Sequence, residues 1–119
     1  MQSLLLFKPD LSPFDPMAVE RAFRSCGFTD IRVDKPVGAL IECEYIERDY
    51  PTIIRLSKDA STISISNTGD AALRAVLLIQ KALGVPLRMV DSVYSFDLVF
   101  SNIATVEELE AAMENARTS

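Results

Sequence analysis

The chain contains no histidine, and this absence removes several kinds of catalytic site. Without imidazole there is no Ser-His or Cys-His nucleophile pair, no HExxH zinc helix, and no side chain that ordinarily titrates close to neutral pH. No carboxylates, lysines or tyrosines are spaced like a catalytic centre, so the sequence predicts no catalytic residue, no cofactor and no metal site. A non-enzymatic function is favoured, and carboxylate, lysine or tyrosine chemistry is the form that an enzymatic alternative would take.

Long hydrophobic runs are also missing. The longest, Ala75 to Ile79, is far shorter than the roughly 20 apolar residues that cross a bilayer. The first residues, MQSLLLF before Lys8, lack a basic leader and a cleavage site, so we interpret them as a strand and not as a signal peptide. A length of 119 residues with 49% hydrophobic and 24% charged side chains is typical of one soluble globular domain, residues 1–119, and we expect a cytoplasmic protein.

Cysteine is scarce, with two residues in the whole chain. Cys26 and Cys43 both have apolar neighbours, which favours reduced, buried thiols of an intracellular protein over a disulfide. Two cysteines without histidine do not complete a structural zinc tetrahedron. Whether the two lie close together is left open, because a disulfide depends on the distance between their Cα atoms.

Local signals predict three helices. Asp15 before Pro16 is a strong helix start, and an apolar stripe that runs to Gly27 predicts a helix over residues 16–26. Thr105 begins a capping box with Glu108, which predicts a last helix from there.

The middle helix is predicted between Gly69 and Gly84. It is apolar around nearly its whole circumference, so we expect it to be the centre of the core with one narrow stripe in water. Asp70 is expected to act as a cap, and its spacing from Arg74 predicts an i to i+4 ion pair.

Alternating and short apolar runs predict six to seven strands. Ser3–Phe7 is apolar on successive positions, which indicates a central strand covered on both faces. We expect a break at Asp49-Tyr50-Pro51 and an aromatic inward face formed by Tyr94, Phe96 and Phe100. The predicted fold class is α+β, a mainly antiparallel sheet in the order β-α-β-β-β-β-α-β-β-α with three helices on one face. The predicted strands are 3–7, 29–33, 39–46, 52–56, 61–66, 87–90 and 94–100.

The densest acidic stretch contains Glu42, Glu44, Glu47 and Asp49. Glu42 and Glu44 lie two residues apart on one strand, so both project from the same face. These carboxylates could hold calcium or magnesium, present charge to a basic partner, or form an ordinary solvated face that prevents edge pairing. The ordinary solvated face is the simplest interpretation. Because the spacing does not match a calcium loop, the partner-binding hypothesis is the functional one we retain for these four residues.

Nucleic acid is disfavoured as a partner, because a formal charge of -5 and a pI near 4.6 repel phosphates. A local basic patch would require Arg21, Arg24, Arg32 and Arg55 to converge in space. No membrane partner is expected, and the oligomeric state is open, with a homodimer compatible with the sequence.

Three functions compete on this basis. The first is an acidic protein-binding module, similar in scale and charge to small inhibitor or immunity-type proteins that cover a basic partner surface. The second is a small-molecule-binding or enzymatic domain with a pocket between sheet and helices, lined by Tyr45, Tyr94, Phe96, Asp97 or Arg55. The third is a self-associating structural component that uses a sheet edge or the last helix.

Overall fold

The computed structural model describes residues 2–118, which form one seven-stranded antiparallel sheet and three helices. The α+β class, the order of elements and the three helices on one face are as predicted. The elements are β1 (Ser3–Phe7), α1 (Pro16–Ser25), β2 (Thr29–Val33), β3 (Ala39–Glu47), β4 (Tyr50–Ser57), β5 (Ile63–Ser66), α2 (Asp70–Leu83), β6 (Leu87–Asp91), β7 (Asp97–Phe100) and α3 (Val106–Asn115).

The strands lie in the order β2-β3-β4-β5-β1-β6-β7. Strands β2 to β5 form a meander, and β1 returns between β5 and β6, where Leu4 lies opposite Ile65 on one side and Asp91 on the other. The predicted central position of β1 is therefore confirmed, whereas its predicted cover on both faces is wrong, because helices pack on one face only and Ser3, Leu5 and Phe7 on the other are half-buried.

The helices cover one face of the sheet, and the core lies between the two layers. Leu4 and Leu6 of β1 and Val76 and Ile79 of α2 have no exposed surface, and each large apolar side chain buried in this way stabilises the fold by about 1.5–3 kcal/mol. Helix α2 contacts α1 on one side and α3 on the other. Its exposed residues are Asp70, Lys81 and Ala82, so the predicted central position of this helix is confirmed. We call the sheet face without helices the open face.

The helix ends agree in part with the predicted signals. The Asp15 carboxylate accepts a hydrogen bond from the Met17 amide at 3.1 Å, and Gly27 has the left-handed φ of 76° that ends α1. The Thr105 hydroxyl accepts from the Glu108 amide at 3.1 Å.

At α2 two predictions are wrong. The cap position is Gly69, which offers no side chain to the first turn, and Asp70 is already helical. Arg74 forms its ion pair with Glu47 of β3 and not with Asp70, because the sheet brings a carboxylate to the helix from a distant part of the chain.

The predicted break at Asp49-Tyr50-Pro51 is also wrong, because Tyr50 and Pro51 belong to β4. In a two-residue hairpin the pair beside the turn is hydrogen-bonded and the next pair is not, so Pro51, opposite Ile46, needs no amide hydrogen toward β3. On its other side, the pairing of β5 with β4 reaches only to Ile54.

The last strand begins later than predicted. Tyr94 has a left-handed φ of 55° and lies exposed in the turn before β7, whereas Phe96 and Phe100 are buried as expected. The buried Asp91 carboxylate shapes this turn, since it accepts from the Ser95 amide at 2.8 Å and from the Ser95 hydroxyl.

Candidate functional site

A hairpin formed by β3 and β4 projects from one end of the sheet. The last three residue pairs, from Tyr45 opposite Thr52 to Glu47 opposite Tyr50, extend beyond both neighbouring strands, since β2 pairs with β3 only as far as Glu44 and β5 pairs with β4 only as far as Ile54. At about 3.3 Å per residue this projection is roughly 10 Å long. The turn residues Arg48 and Asp49 have φ values of 52° and 65°, the left-handed pair that matches the twist of a two-residue hairpin. We call residues 46–51 the hairpin tip.

The hairpin tip exposes large apolar side chains. Tyr50 is 76% exposed and Ile46 is 53% exposed, and Pro51, opposite Ile46, is exposed as well. Ile46 and Pro51 lie on the open face, and Tyr50 lies on the opposite face of the hairpin. Aromatic side chains of this kind dominate the energetics of protein interfaces when a partner buries them.

The base of the hairpin is fixed to the helical layer. Arg74 of α2 donates two hydrogen bonds to the Glu47 carboxylate, at 2.5 and 2.7 Å, and the Tyr45 hydroxyl donates a third at 3.2 Å. The hydrogen bonds from Arg74 hold the pKa of Glu47 below its usual value, while burial and the adjacent carboxylate raise the pKa of Tyr45. The Tyr45 ring packs on Phe28 with 5.7 Å between centroids. These contacts hold the hairpin in one orientation.

The four acidic residues of the predicted partner site are divided by the structure. Glu47 lies on the helix side with Arg74, and Glu42 lies on the open face with its Oε1 3.2 Å from Arg55 Nε. The same guanidinium donates a hydrogen bond from Nη2 to the Val37 carbonyl at 2.5 Å.

Glu44 and Asp49 form no ion pair within residues 2–118. Glu44 lies on the open face opposite Ile53, just before the hairpin tip, and Asp49 lies in the turn within the tip. Arg48 shares the turn with Asp49 and leaves the tip only weakly acidic.

The sequence does not predict Ile46, Tyr50 and Pro51 as surface candidates, because a proline ordinarily ends a strand. The available signal was the alternation that continues on both sides of Arg48-Asp49.

The wider surface is acidic once local ion pairs are taken into account. The six ion pairs of the described chain engage six of the 12 basic and six of the 17 acidic side chains. Helix α3 carries exposed Glu107, Glu108 and Glu110, which form no ion pair with another residue of the range 2–118. Of the arginines considered for a basic patch, Arg24, Arg32 and Arg55 each form an ion pair, with Glu20, Asp30 and Glu42, so these three do not form a patch of unpaired positive charge.

A cleft of about 560 Å³ lies at the end of α2, away from the pocket residues predicted from the sequence. Lys81 is the one charged side chain of its lining, which also contains Val85, Ser101 and Asn102. The predicted pocket residues are not brought together: Tyr45 and Phe96 pack in the core, Tyr94 is exposed in a turn, and Arg55 and Asp97 lie on the open face.

Cys26 is half-buried and Cys43 is buried, and both are free thiols. Within residues 2–118 no three cysteine, aspartate or glutamate side chains converge as metal ligands would. No helix in the same part of the chain is long and apolar enough to cross a membrane.

Comparison of the chain with protein-family models, with curated proteins and with solved structures finds no significant match in any of the three.

Proposed function

We propose that the chain is a non-enzymatic protein-binding module that recognises a basic partner surface, in the manner of small inhibitor or immunity-type proteins. The observation that carries the proposal is the hairpin tip, which exposes Tyr50 and Ile46, is joined to α2 by the ion pair of Glu47 with Arg74, and lies beside Glu44 and includes Asp49, two carboxylates without an ion pair within residues 2–118. An exposed aromatic side chain on a fixed backbone loses little conformational entropy when a partner buries it.

The complementary partner has a concave site with an apolar floor and a lysine- or arginine-rich rim. Tyr50 and Ile46 would supply the buried contact, and Glu44 and Asp49 would face the rim. The net charge of -5 would accelerate the encounter with such a partner and make it weaken as salt is added. Glu42 and Glu47 add to the negative electrostatic potential of the surface, but each already forms an ion pair, with Arg55 and with Arg74.

The experiment that tests this function measures binding of the purified chain to the proteins encoded beside its gene, at low and at high salt. We expect Tyr50→Ala to weaken binding by about 30-fold, the loss typical of a buried aromatic anchor. Val37→Ala is the matched control, because Val37 is 94% exposed in the turn between β2 and β3 and lies outside the tip. Thermal unfolding of both variants checks that the fold is retained.

Charge reversal within the turn tests the sign of the partner surface. We expect Asp49→Lys to slow association and Arg48→Glu to accelerate it, since both residues are exposed and neither forms an ion pair in the described chain. Failure of all neighbouring gene products to bind, or binding indifferent to salt and to Tyr50→Ala, would contradict the proposal.

A further inference from the structure

The turn between β6 and β7 lies at the same end of the sheet as the hairpin tip. Strand β4 begins at this end, β5 ends there at Ser66, β1 begins there at Ser3, and β6 ends there at Asp91. Two strands, β5 and β1, therefore separate the β3–β4 hairpin from the β6–β7 hairpin. With strands about 4.8 Å apart, the midlines of the two hairpins lie roughly 19 Å apart. We call residues 92–96 the second turn.

The second turn exposes large apolar side chains, as the hairpin tip does. Val93 is 62% exposed and Tyr94 is 56% exposed. The chain has three tyrosines, and the two exposed ones, Tyr50 and Tyr94, both lie at this end of the sheet, whereas Tyr45 is half-buried. Tyrosine is enriched at protein interfaces and is one of the residues that dominate their energetics. This end of the sheet therefore carries two separate candidate anchors.

Hydrogen bonds from two directions hold the second turn in place. On one side the Ser92 amide donates to the Ser3 carbonyl at 3.0 Å, and the Ser3 amide donates to the Ser92 hydroxyl at 3.2 Å. On the other side Thr118 donates from its amide to the Ser95 carbonyl at 3.0 Å and from its hydroxyl to the Tyr94 carbonyl at 2.8 Å. Because the backbone on both sides of Tyr94 is fixed, a partner that buries the ring orders little beyond the side chain itself.

The charges at this end of the sheet favour a basic partner. Asp49 lies in the hairpin tip, Asp70 begins α2 and Asp91 ends β6, and none of the three forms an ion pair within residues 2–118. Arg48 is the single basic residue in the two turns. The four lysines lie at the opposite end of the sheet: Lys8 after β1, Lys35 and Lys58 in the β2–β3 and β4–β5 turns, and Lys81 in the last turn of α2. A positively charged surface is therefore better matched at the end that carries the exposed tyrosines.

We propose that the second turn belongs to the same interface as the hairpin tip, so that one basic protein binds this end of the sheet and buries both Tyr50 and Tyr94. The inference rests on the proposed function of the hairpin tip and extends it to a second contact. An interface of standard size covers about 800 Å² of each partner, a patch roughly 28 Å across, so one partner is wide enough to reach both turns. The partner surface accordingly has two apolar depressions roughly 19 Å apart, surrounded by lysine or arginine.

Binding of the full chain to the proteins encoded beside its gene, measured by calorimetry, tests the inference. Tyr94→Asn is expected to raise the Kd at least about tenfold, and asparagine is chosen because it tolerates the left-handed φ of 55° at this position. Leu11→Asn is the matched control, since Leu11 is 57% exposed, has a φ of 63° and lies beyond the opposite end of β1. Combined with Tyr50→Ala, the two losses are expected to multiply, because side chains roughly 19 Å apart act independently.

Val93→Lys is a second variant that does not depend on the backbone conformation of Tyr94. It places positive charge on an exposed position of the second turn and is expected to weaken binding to a basic surface. Val37→Lys adds the same charge in the β2–β3 turn, at the opposite end of the sheet, and is expected to have a smaller effect. Thermal unfolding of each variant checks that the fold is retained.

The outcomes separate this inference from the proposed function. If Tyr50→Ala weakens binding while Tyr94→Asn and Val93→Lys bind like wild type, the shared interface is overturned and the role of the hairpin tip stands. If Tyr94→Asn weakens binding and Tyr50→Ala does not, the role of the tip is overturned and the shared interface with it. Failure of every neighbouring gene product to bind overturns both.

Discussion

Cys43 shows how burial controls the chemistry of a single residue. Its side chain has no exposed surface, and burial, together with charge at Cys26 and at the neighbouring Glu42 and Glu44, raises the pKa of its thiol to about 12. Burial alone raises the pKa of Cys26 to about 11. Because the thiolate is the reactive form, neither cysteine is a nucleophile near neutral pH in the folded protein.

Alkaline pH is therefore expected to destabilise the fold partly through Cys43. The pKa of this thiol is 9.0 in the unfolded chain and about 12 in the folded protein. The protonated thiol therefore contributes its full share of the free energy of unfolding below pH 9.0, and this share is lost as the pH rises toward about 12. Urea unfolding measured from pH 8 to 11 should show this decline, and Cys43→Ala should show a shallower one despite its lower stability at pH 8. An equal slope in the two proteins would contradict this assignment.

Gln80 is a buried amide with both of its polar atoms used. Its Nε2 donates to the Ile103 carbonyl at 2.8 Å, and its Oε1 accepts from the Ile103 amide at 3.0 Å. The side-chain amide therefore satisfies both backbone polar groups of one residue in the loop before α3, as the backbone of a neighbouring strand does in a sheet. Gln80 is 7% exposed, and a backbone amide or carbonyl that is buried without a hydrogen-bond partner lowers the free energy of unfolding.

Replacing Gln80 with leucine should lower the free energy of unfolding by about 1–3 kcal/mol, because the Ile103 amide and carbonyl lose their partners. Lys81→Met, at the exposed neighbouring position, should change it by less than about 0.5 kcal/mol. Denaturant titration of both variants measures the difference, and a Gln80→Leu protein as stable as wild type would show that water replaces the amide.

At the scale of elements, helix ends depend on local geometry. Gly84 ends α2 with a left-handed φ of 66°, and a Cβ built there has no neighbouring atom within 4 Å. Any cost of a substitution at Gly84 therefore comes from the backbone conformation and not from steric contact.

Gly84→Ala should destabilise the fold by about 1 kcal/mol, the cost of a left-handed residue with a Cβ. Gly84→Asn should cost less, because asparagine tolerates this conformation. Thermal unfolding of the two variants checks the order, and equal stability of Ala and Gly at this position would contradict it.

Elements with local signals were predictable from the sequence, and elements that depend on distant partners were not. Asp15, Gly27 and Thr105 act within one turn of their helices, so their roles were read correctly. Arg74 was assigned to Asp70 because its actual partner, Glu47, is 27 residues away. The sequence predicts a break at Pro51, because a strand accepts a proline there only if no neighbouring strand needs its amide hydrogen. That condition depends on where β5 ends, which local sequence does not specify.

At the scale of the whole molecule, the α+β class and the central place of β1 followed from the order and apolarity of the elements. Sequence alone left open which acidic residues would remain uncompensated, since the ion pairs of Glu42 and Glu47 are set by register and by helix packing. Of the four residues in the predicted site, Glu44 and Asp49 are the two that form no ion pair within residues 2–118. The apolar residues of the tip are exposed because the hairpin extends beyond its neighbouring strands, and the sequence alone does not specify that extension.

The central place of β1 also affects the order in which the molecule is built. Residues 3–7 precede their partners, residues 63–66 and 88–91, in the sequence, so β1 stays unpaired during synthesis until both partner strands have left the ribosome. The meander of β2 to β5 needs only local contacts and is able to form earlier. During that interval an apolar strand is exposed, and exposed apolar strands favour aggregation of a partly folded chain.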